Sequence, residues 1–319
     1  MSKFMSSLAA AGTLLVVALA AVPANAQATR TFVSGTGVDS GICARAAPCR
    51  TFAYVITQTI AHGEIAVLDT AGYGPLTISK SISIVNPGGV EAGIAATAGG
   101  TAVTITGLAT SDIVALRGLT IEGAQSGQTG IALTSGGTLE IDNCVVRDFV
   151  GTGTNGAGDA IYIAPATGTT TTFRISNSIV AANGHDGILV SPAGSGTAQG
   201  VIDHVAASGN TNNGIAIAGV TGAVNVSITN SVASSNLSAG IFVQSAKATV
   251  SNTTASNNAT GILATSSATV QLTQSLVAGN TTGVSITGSP IGVVDTYVDN
   301  NINFNNTQVS GSMTTIAAQ

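Results

Sequence analysis

The sequence has little charge and few aromatic residues. Charged residues make up 7% of the 319 residues, aromatic residues make up 3%, and tryptophan is absent. Nine lysine and arginine residues lie scattered along a chain of net charge −5, which argues against nucleic acid as a partner. Sugar-binding clefts often carry aromatic rings, so the low aromatic content counts against a typical cleft of this kind.

A long hydrophobic run occurs only near the start of the chain. Lys3 is followed by an apolar stretch from Leu8 to Val22 and by the small residues Ala24-Asn25-Ala26. This order predicts a secretory signal over residues 1–26. No later segment approaches the roughly 20 apolar residues of a spanning helix, so we expect no transmembrane segment after signal cleavage. The predicted location is therefore secreted, periplasmic or in the cell envelope.

The three cysteines do not have the spacing of a zinc site. Cys43 and Cys49 lie close together in the segment CARAAPC. Because an exported protein meets an oxidising environment, we predict a disulfide between them. Cys144 is then unpaired, and we expect a small, semi-buried side chain rather than a reactive thiol.

Short apolar segments recur along the chain, separated by Gly, Asn, Ser and Thr. Their starting positions are 30, 27, 27, 26, 21 and 22 residues apart. Such steps hold three short strands and three turns, and each unit must stack on its neighbours to bury a core. The pattern predicts a parallel β-helix with these inward side chains: Ile131, Ile161, Ile188, Ile215, Ile241, Ile262 and Val284.

Two polar columns accompany the apolar segments and mark turns. The first holds Asn143, Asn177, Asp203, Asn230, Asn252 and Gln274. Two positions earlier the pattern predicts another inward column: Ile141, Ile175, Val201, Ile228, Val250 and Leu272. Six residues after most of the turn residues lies a second column: Asn183, Asn236, Asn258 and Asn280, with Asn210 displaced by one.

The N-terminal part predicts a short helix and then the first strands. Phe52, Ile56, Thr59 and Ile60 form one helical stripe. We assign residues 27–62 to an N-terminal segment with this helix, which would cover the open edge of the first coil, and residues 63–319 to the β-helix. The fold class is all-β: a single right-handed parallel solenoid of about nine or ten coils, with the hand taken from the general crossover rule.

Four short motifs stand near the start of the predicted solenoid: PCRTF at Pro48, HGEI at His62, GYG at Gly72 and LTISKSISI at Leu76. In these motifs the chain resembles the pectin-lyase-like right-handed β-helix superfamily. The resemblance implies the β-helix fold, whereas members of the superfamily differ in activity. The polygalacturonase phrases Asn-Thr-Asp, Gly-His-Gly and Arg-Ile-Lys are missing. So is the Asp-Pro-His-Asp motif of alginate epimerases, which this chain matches only at Gly184-His185-Asp186.

One group of polar residues on the middle coils could support chemistry. Asp159 and Asp186 both precede an inward Ile by two residues, with Asn213 next in the column. Stacked carboxylates repel unless they share a proton or hold a cation, and calcium would suit them. With His185 and Tyr162 they could also act as acid and base on a uronic-acid sugar. Alternatively, His185 and Asp186 are ordinary turn residues.

Two arginines and an apolar column complete the candidate features. Arg147 and Arg174 are the nearby basic residues and are candidates for binding, with Tyr162, a polysaccharide. Glu140 and Arg174 should be cross-strand neighbours and form a surface ion pair. An outward apolar column should be covered by inserted loops such as residues 191–200 or by another protein: Ala132, Tyr162, Leu189, Ala216, Phe242 and Leu263.

Two functions remain open from the sequence. The favoured one is a non-catalytic exported β-helix protein that acts as a structural, adhesive or glycan-contacting surface module, with polysaccharide or cell-surface components as partners. The alternative is a polysaccharide lyase or C5-epimerase that acts on uronic-acid polymers. Apart from the calcium considered above, the sequence points to no cofactor.

Overall fold

The computed structural model describes residues 27–317. Its strands form three parallel sheets that run the length of a solenoid of about nine turns. The predicted signal over residues 1–26 lies outside the described residues. No helix in the described part of the chain is long and apolar enough to cross a membrane.

Each coil contributes one strand to each sheet, so strands adjacent in a sheet come from successive coils. Sheet 1 has twelve strands: β1 (Ala28–Val33), β2 (Thr59–Val67), β5 (Ile82–Val85), β8 (Ile113–Arg117), β11 (Gly137–Asp142), β14 (Thr170–Ser176), β17 (Thr197–Asp203), β20 (Ala223–Thr229), β23 (Lys247–Ser251), β26 (Thr269–Thr273), β29 (Val293–Thr296) and β32 (Thr314–Thr315).

Sheets 2 and 3 have ten strands each. Sheet 2 comprises β4 (Leu76–Ile78), β7 (Thr101–Ile105), β10 (Thr129–Leu133), β13 (Ile161–Ile163), β16 (Ile188–Val190), β19 (Ile215–Ala218), β22 (Ala239–Gln244), β25 (Thr260–Thr265), β28 (Thr282–Thr287) and β31 (Thr307–Ser310). Sheet 3 comprises β3 (Ala71–Gly72), β6 (Ala92–Ala95), β9 (Leu119–Glu122), β12 (Val145–Arg147), β15 (Ile179–Ala181), β18 (Ala206–Ser208), β21 (Val232–Ser234), β24 (Thr254–Ser256), β27 (Leu276–Ala278) and β30 (Asn301–Asn303).

The predicted core of sheet 2 is confirmed. Side chains alternate along a strand, and the second residue of each Gly-Ile or Ala-Ile segment points into the solenoid. All seven predicted residues, from Ile131 to Val284, are fully buried. They pair directly from coil to coil, as Ile161 with Ile188 and Ile188 with Ile215.

The predicted core of sheet 1 is wrong at one coil. Val201 is 38% exposed, whereas Ile202 is buried and pairs with Ile175. The turn residue of this coil is therefore His204, with φ of 53°, rather than Asp203. His204 takes the left-handed conformation that Asn177 takes one coil earlier. Asp and His are both polar turn residues, so composition alone did not distinguish the two registers.

A ladder of buried asparagines joins the turns between sheets 3 and 2. Its members are Asn183, Asn210, Asn236, Asn258, Asn280 and Asn305. Each of the first five donates its backbone N–H to the side-chain oxygen of the next, as Asn210 does to Asn236 at 3.1 Å. Asn210 follows the turn residue His204 by six residues, the same spacing that separates Asn183 from Asn177. The one-residue displacement of Asn210 in the sequence alignment therefore came from taking Asp203 as the turn residue.

The N-terminal segment contains a strand in addition to the predicted helix. The predicted helix is α1 (Phe52–Gln58), which begins where the Thr51 hydroxyl accepts the backbone N–H of Tyr54. It packs against β1, β2 and β4. Strand β1, which the sequence did not predict, pairs in parallel with β2. The predicted disulfide between Cys43 and Cys49 is formed within this segment, and Cys144 is buried as a free thiol.

Candidate functional site

The predicted stacking of Asp159, Asp186 and Asn213 is present in the structure. The three residues lie in successive turns that lead into β13, β16 and β19 of sheet 2. Each side-chain oxygen accepts a backbone N–H of the next coil: Asp186 N–H to Asp159 Oδ1 at 3.0 Å, then Asn213 N–H to Asp186 Oδ1 at 2.9 Å. The column therefore links coils through hydrogen bonds as well as through backbone pairing.

Asp159 is fully buried and only one of its oxygens is satisfied. Its Oδ1 accepts the Nδ1–H of His185 at 2.8 Å in addition to the N–H of Asp186. Its Oδ2 is buried without a hydrogen-bond partner. Burial raises the pKa of the Asp159 carboxyl, and the hydrogen bond from His185 partly opposes that rise.

Asp186 is buried and its two oxygens differ sharply in their surroundings. Oδ1 accepts three N–H groups, from the side chain of Asn212 at 2.9 Å and from the backbone and side chain of Asn213 at 2.9 and 3.0 Å. Oδ2 lies 3.4 Å from His185 Nδ1. Burial, and secondly the nearby charge of Asp159, raise the pKa of Asp186 to about 6.

Both ring nitrogens of His185 are engaged. Nδ1 faces Asp159, and Nε2 lies 3.0 Å from the side-chain nitrogen of Asn212. In this arrangement Nδ1 carries the proton and Nε2 accepts from the amide, so the neutral ring is fully satisfied. The hydrogen bond to Asp159 raises the pKa of His185, and partial burial opposes the rise. The side chain remains 23% exposed.

A glycine-rich loop over residues 151–158 covers the cluster. A Cβ atom on Gly153 would lie 2.5 Å from His185 Nε2, and one on Gly156 would lie 2.6 Å from Cδ1 of Tyr162. Gly153 and Gly156 also have φ of 89° and 80°, which glycine adopts without strain. The backbone can therefore approach both rings only because these positions lack side chains.

Tyr162 is near the cluster but is not bonded to it. Its ring lies against Gly156, and burial raises the pKa of its hydroxyl, with a smaller contribution from the charge of Asp159. Within residues 27–317 its hydroxyl makes no hydrogen bond to Asp159, His185 or Asp186. The four residues that the sequence grouped together are thus neighbours, but only three of them share hydrogen bonds or close polar contacts.

The two predicted binding arginines lie away from the cluster, on other sheets. Arg147 on sheet 3 bonds Glu122 of the preceding coil, with Nε 2.9 Å from Oε1. Arg174 pairs in register with Glu140 on sheet 1, as predicted. In the described chain, however, no nitrogen–oxygen contact within 4.0 Å joins their side chains, so the predicted ion pair is not formed.

The outward apolar column of sheet 2 has the predicted register, and a loop covers it at Tyr162. Tyr162 pairs with Leu189, and Ala216 pairs with Phe242. The cover over Tyr162 comes from the glycine-rich loop, at Gly156. Ala132 and Ala216 are buried, and the larger members are half-buried.

A groove on the outer side of sheet 1 was not predicted. It has a volume of about 440 Å³ and crosses strands of five successive coils, from Thr170 to Thr269. Gln199, Asn225 and Lys247 are stacked along it, one on each of three successive strands. Because the sequence analysis aligned this coil on Asp203 instead of His204, it displaced Gln199 by one residue from Asn225. With the correct register, the column can be identified in the sequence.

Asn212 is the main site residue that sequence reasoning missed. It bonds both His185 and Asp186 and lies 27 residues after His185 in the chain. That spacing equals one coil, and residues one coil apart lie next to each other in a column. Sequence reasoning applied this to Asp186 and Asn213 but not to His185, where it would have placed Asn212 beside the ring.

Comparison with solved structures relates this architecture to known proteins. The alginate lyase of Paenibacillus sp. str. FPU-7 has a TM-score of 0.60 at 17% identity, over 90% of this chain and 100% of the other. The pectate lyase Pel9A has a TM-score of 0.52 at 14% identity, over 91% and 77%. At these identities the likeness establishes the fold alone.

Sequence comparison gives the family. No curated protein matches the sequence. The family model described as "Right handed beta helix region" matches residues 159–318, half of the chain, from the buried Asp159 to beyond the last coil. The match agrees with the three parallel sheets and with the repeated apolar segments. The chain therefore belongs to the right-handed β-helix family, within the pectin-lyase-like fold.

Proposed function

We propose that this chain is an exported β-helix protein that binds, without cleaving it, an extended uncharged polysaccharide along sheet 1. The column of Gln199, Asn225 and Lys247 supports this proposal most directly. These side chains are exposed, and within residues 27–317 they form no hydrogen bond to the protein. Because coils are stacked about 4.8 Å apart, the groove offers hydrogen-bonding groups over roughly 20 Å.

The chemistry of the groove favours an uncharged glycan. Amide and hydroxyl side chains both donate and accept, as sugar hydroxyls do. A polyuronate would need several Arg or Lys side chains to meet its carboxylates, and the groove lining includes only Lys247. Export in this proposal rests on the predicted signal over residues 1–26.

The hydrogen bonds of the Asp159 cluster support the non-catalytic part of the proposal. Both carboxylates accept backbone N–H groups of the next coil, and both nitrogens of His185 are engaged. A general base needs a free lone pair directed at the substrate. Here the Nε2 lone pair is directed at Asn212.

Affinity electrophoresis and calorimetry against a panel of neutral and acidic polysaccharides test this function. We expect at least one neutral polymer to bind, and the double variant Gln199→Ala/Asn225→Ala to weaken binding about tenfold, since two hydrogen bonds of about 1 kcal/mol or less are lost. The matched control is Asn306→Ala, an exposed asparagine outside the groove. Binding of acidic polymers alone, or equal loss in the control, would contradict the proposal.

A polysaccharide lyase or C5-epimerase is the second candidate. It is favoured by the proximity of Asp159, Tyr162, His185 and Asp186, and it accords with the alginate and pectate lyases that share the fold. Alginate and pectate should be incubated with the protein, with and without calcium. Unsaturated uronate ends, or inverted uronate stereochemistry that disappears in His185→Ala, would replace the first candidate with this one.

A further inference from the structure

Asp159 presents a buried oxygen that the protein leaves unsatisfied. The residue is fully buried, and in the described part of the chain its Oδ2 is the buried side-chain oxygen that lacks a hydrogen-bond partner. An ionised carboxylate in such a position costs several kcal/mol unless a positive charge or a proton compensates it. The other oxygen of the same carboxylate, Oδ1, contacts His185 Nδ1 and the N–H of Asp186, so an ion bound at Asp159 would lie beside both residues.

The three side chains have ligand atoms at a suitable spacing. One ligand atom from each of Asp159, His185 and Asp186 can be chosen so that all lie within 4.8 Å of one another. His185 Nδ1 and Asp186 Oδ2 are 3.4 Å apart. Metal–ligand bonds of about 2.0–2.2 Å place neighbouring ligand atoms roughly 3.0–3.5 Å apart. Asp159 Oδ1 lies 2.8 Å from the same nitrogen, and an ion on Nδ1 would replace the proton of that hydrogen bond.

We propose that Asp159, His185 and Asp186 form a binding site for one small divalent transition-metal ion such as Zn²⁺. One nitrogen and two carboxylates suit this class of ion. Calcium requires six to eight oxygen ligands, and Asp186 Oδ1 is already occupied by three N–H groups. Two carboxylates and a divalent ion also sum to zero charge, which suits a buried position.

Asn212 would support the metal-bound form. A metal on Nδ1 requires the proton of His185 to reside on Nε2, which must then donate rather than accept. The side-chain amide of Asn212, now 3.0 Å from Nε2, can turn over and present its oxygen to that proton. Asp186 Oδ1 then keeps the two N–H groups of Asn213. Metal binding is therefore coupled to reorientation of one amide.

The test uses untagged protein dialysed against a chelator and then titrated separately with Zn²⁺, Co²⁺ and Ca²⁺. We expect one equivalent of Zn²⁺ by elemental analysis and calorimetry, and a melting temperature that rises with Zn²⁺ concentration. Co²⁺ should give visible absorption bands of a site with nitrogen and oxygen ligands. No Zn²⁺ binding, or stabilisation by Ca²⁺ and not by Zn²⁺, would overturn the proposal.

The chain contains its own control pair. Asp203 and His204 are also adjacent, with a 3.0 Å contact, but His204 is 59% exposed, and among the described residues they belong to no group of three potential metal ligands. Asp186→Asn and, independently, His185→Gln should each reduce Zn²⁺ affinity at least tenfold. Asp203→Asn and His204→Gln should leave it unchanged. Equal loss in both pairs would show dispersed surface binding and reject the site. Circular dichroism confirms that each variant retains its β structure.

Discussion

The carboxylate of Asp159 accepts the backbone N–H of Asp186, one coil later, at 3.0 Å. Two coils after Asp159, the side-chain oxygen of Asn213 accepts the backbone N–H of Ala239, also at 3.0 Å. A neutral oxygen therefore suffices for this link between coils. The link between coils therefore does not require the negative charge of Asp159. Within this column, the buried charge distinguishes Asp159 from the neutral Asn213.

Replacing Asp159 by Asn separates its charge from its hydrogen bonds. The Asn oxygen can still accept from Asp186 and His185, and the buried charge is removed, but an amide N–H group takes the place of the unpartnered Oδ2. In chelator at pH 7 we expect these two effects to offset, so that the free energy of unfolding changes by less than about 1 kcal/mol. Asp159→Ala should lower it by about 2 kcal/mol, because two N–H groups lose their acceptor. Urea denaturation measures both. Equal losses would show that the charge itself stabilises the fold.

The asparagine ladder should be sensitive to a single substitution. The side chain of Asn258 accepts the N–H of Asn236 at 2.9 Å and donates to the carbonyl of Ala233 at 3.0 Å. Asn258→Ala leaves the N–H of Asn236 and the carbonyl of Ala233, both buried on the preceding coil, without these partners, and we expect a loss of about 3 kcal/mol in the free energy of unfolding. Asn306→Ala, which removes an exposed amide, should change it by less than about 0.5 kcal/mol. Similar losses in the two variants would contradict a structural role for the ladder.

The approach of the glycine-rich loop to His185 can be tested with two glycines of similar backbone conformation. Gly153 has φ of 89° and lies against the ring, whereas Gly168 has φ of 74° and open space around its α-carbon. Gly168→Ala should cost about 1 kcal/mol from backbone strain alone. Gly153→Ala should cost more and should also shift the NMR signals of the His185 ring. An unshifted ring in Gly153→Ala would mean that the loop does not contact it.

Asp203 should make a small contribution to acid sensitivity. The hydrogen bond from Asn230, with help from Thr229 and His204, lowers its pKa from the ordinary 3.8 to about 2. Because the folded pKa lies below the unfolded one, the stabilisation is present above about pH 4 and is lost as the pH falls towards 2. The side chain is partly exposed, so we expect less than about 1 kcal/mol.

Carboxyl NMR titration measures this pKa directly. Thr229→Val removes the hydroxyl that donates to Asp203 Oδ1 at 2.8 Å, and it should raise the pKa. A pKa for Asp203 at or above 3.8 in the parent protein would contradict the prediction.

The sequence predicted the solenoid well because its signal is repeated in every coil. Ile161, Ile188 and Ile215 recur at a nearly constant step, and each repetition makes an accidental pattern less credible. The predicted register is wrong at one coil for a physical reason. At Asp203-His204 two turn-forming residues are adjacent, and the backbone conformation at His204 decides between them.

The candidate site was only partly predictable. Stacking placed Asp186 above Asp159 because both precede an inward isoleucine by the same distance. The approach of Gly153 to the His185 ring depends on the path of a loop that has no periodic pattern. The unsatisfied Oδ2 of Asp159 is likewise a property of the packed fold and has no counterpart in the sequence.

The asparagine ladder also bears on how the length of such a molecule can change. Asn236, Asn258 and Asn280 follow one another at equal intervals of 22 residues and make equivalent bonds. If one such interval were deleted or duplicated, the coils brought into contact would make the same hydrogen bonds as the present neighbours. The chain could therefore gain or lose a whole coil without substitutions in its core. Each added coil would lengthen the groove on sheet 1 by about 4.8 Å. Duplication of a single interval would therefore extend the surface that we propose for polysaccharide binding by one coil.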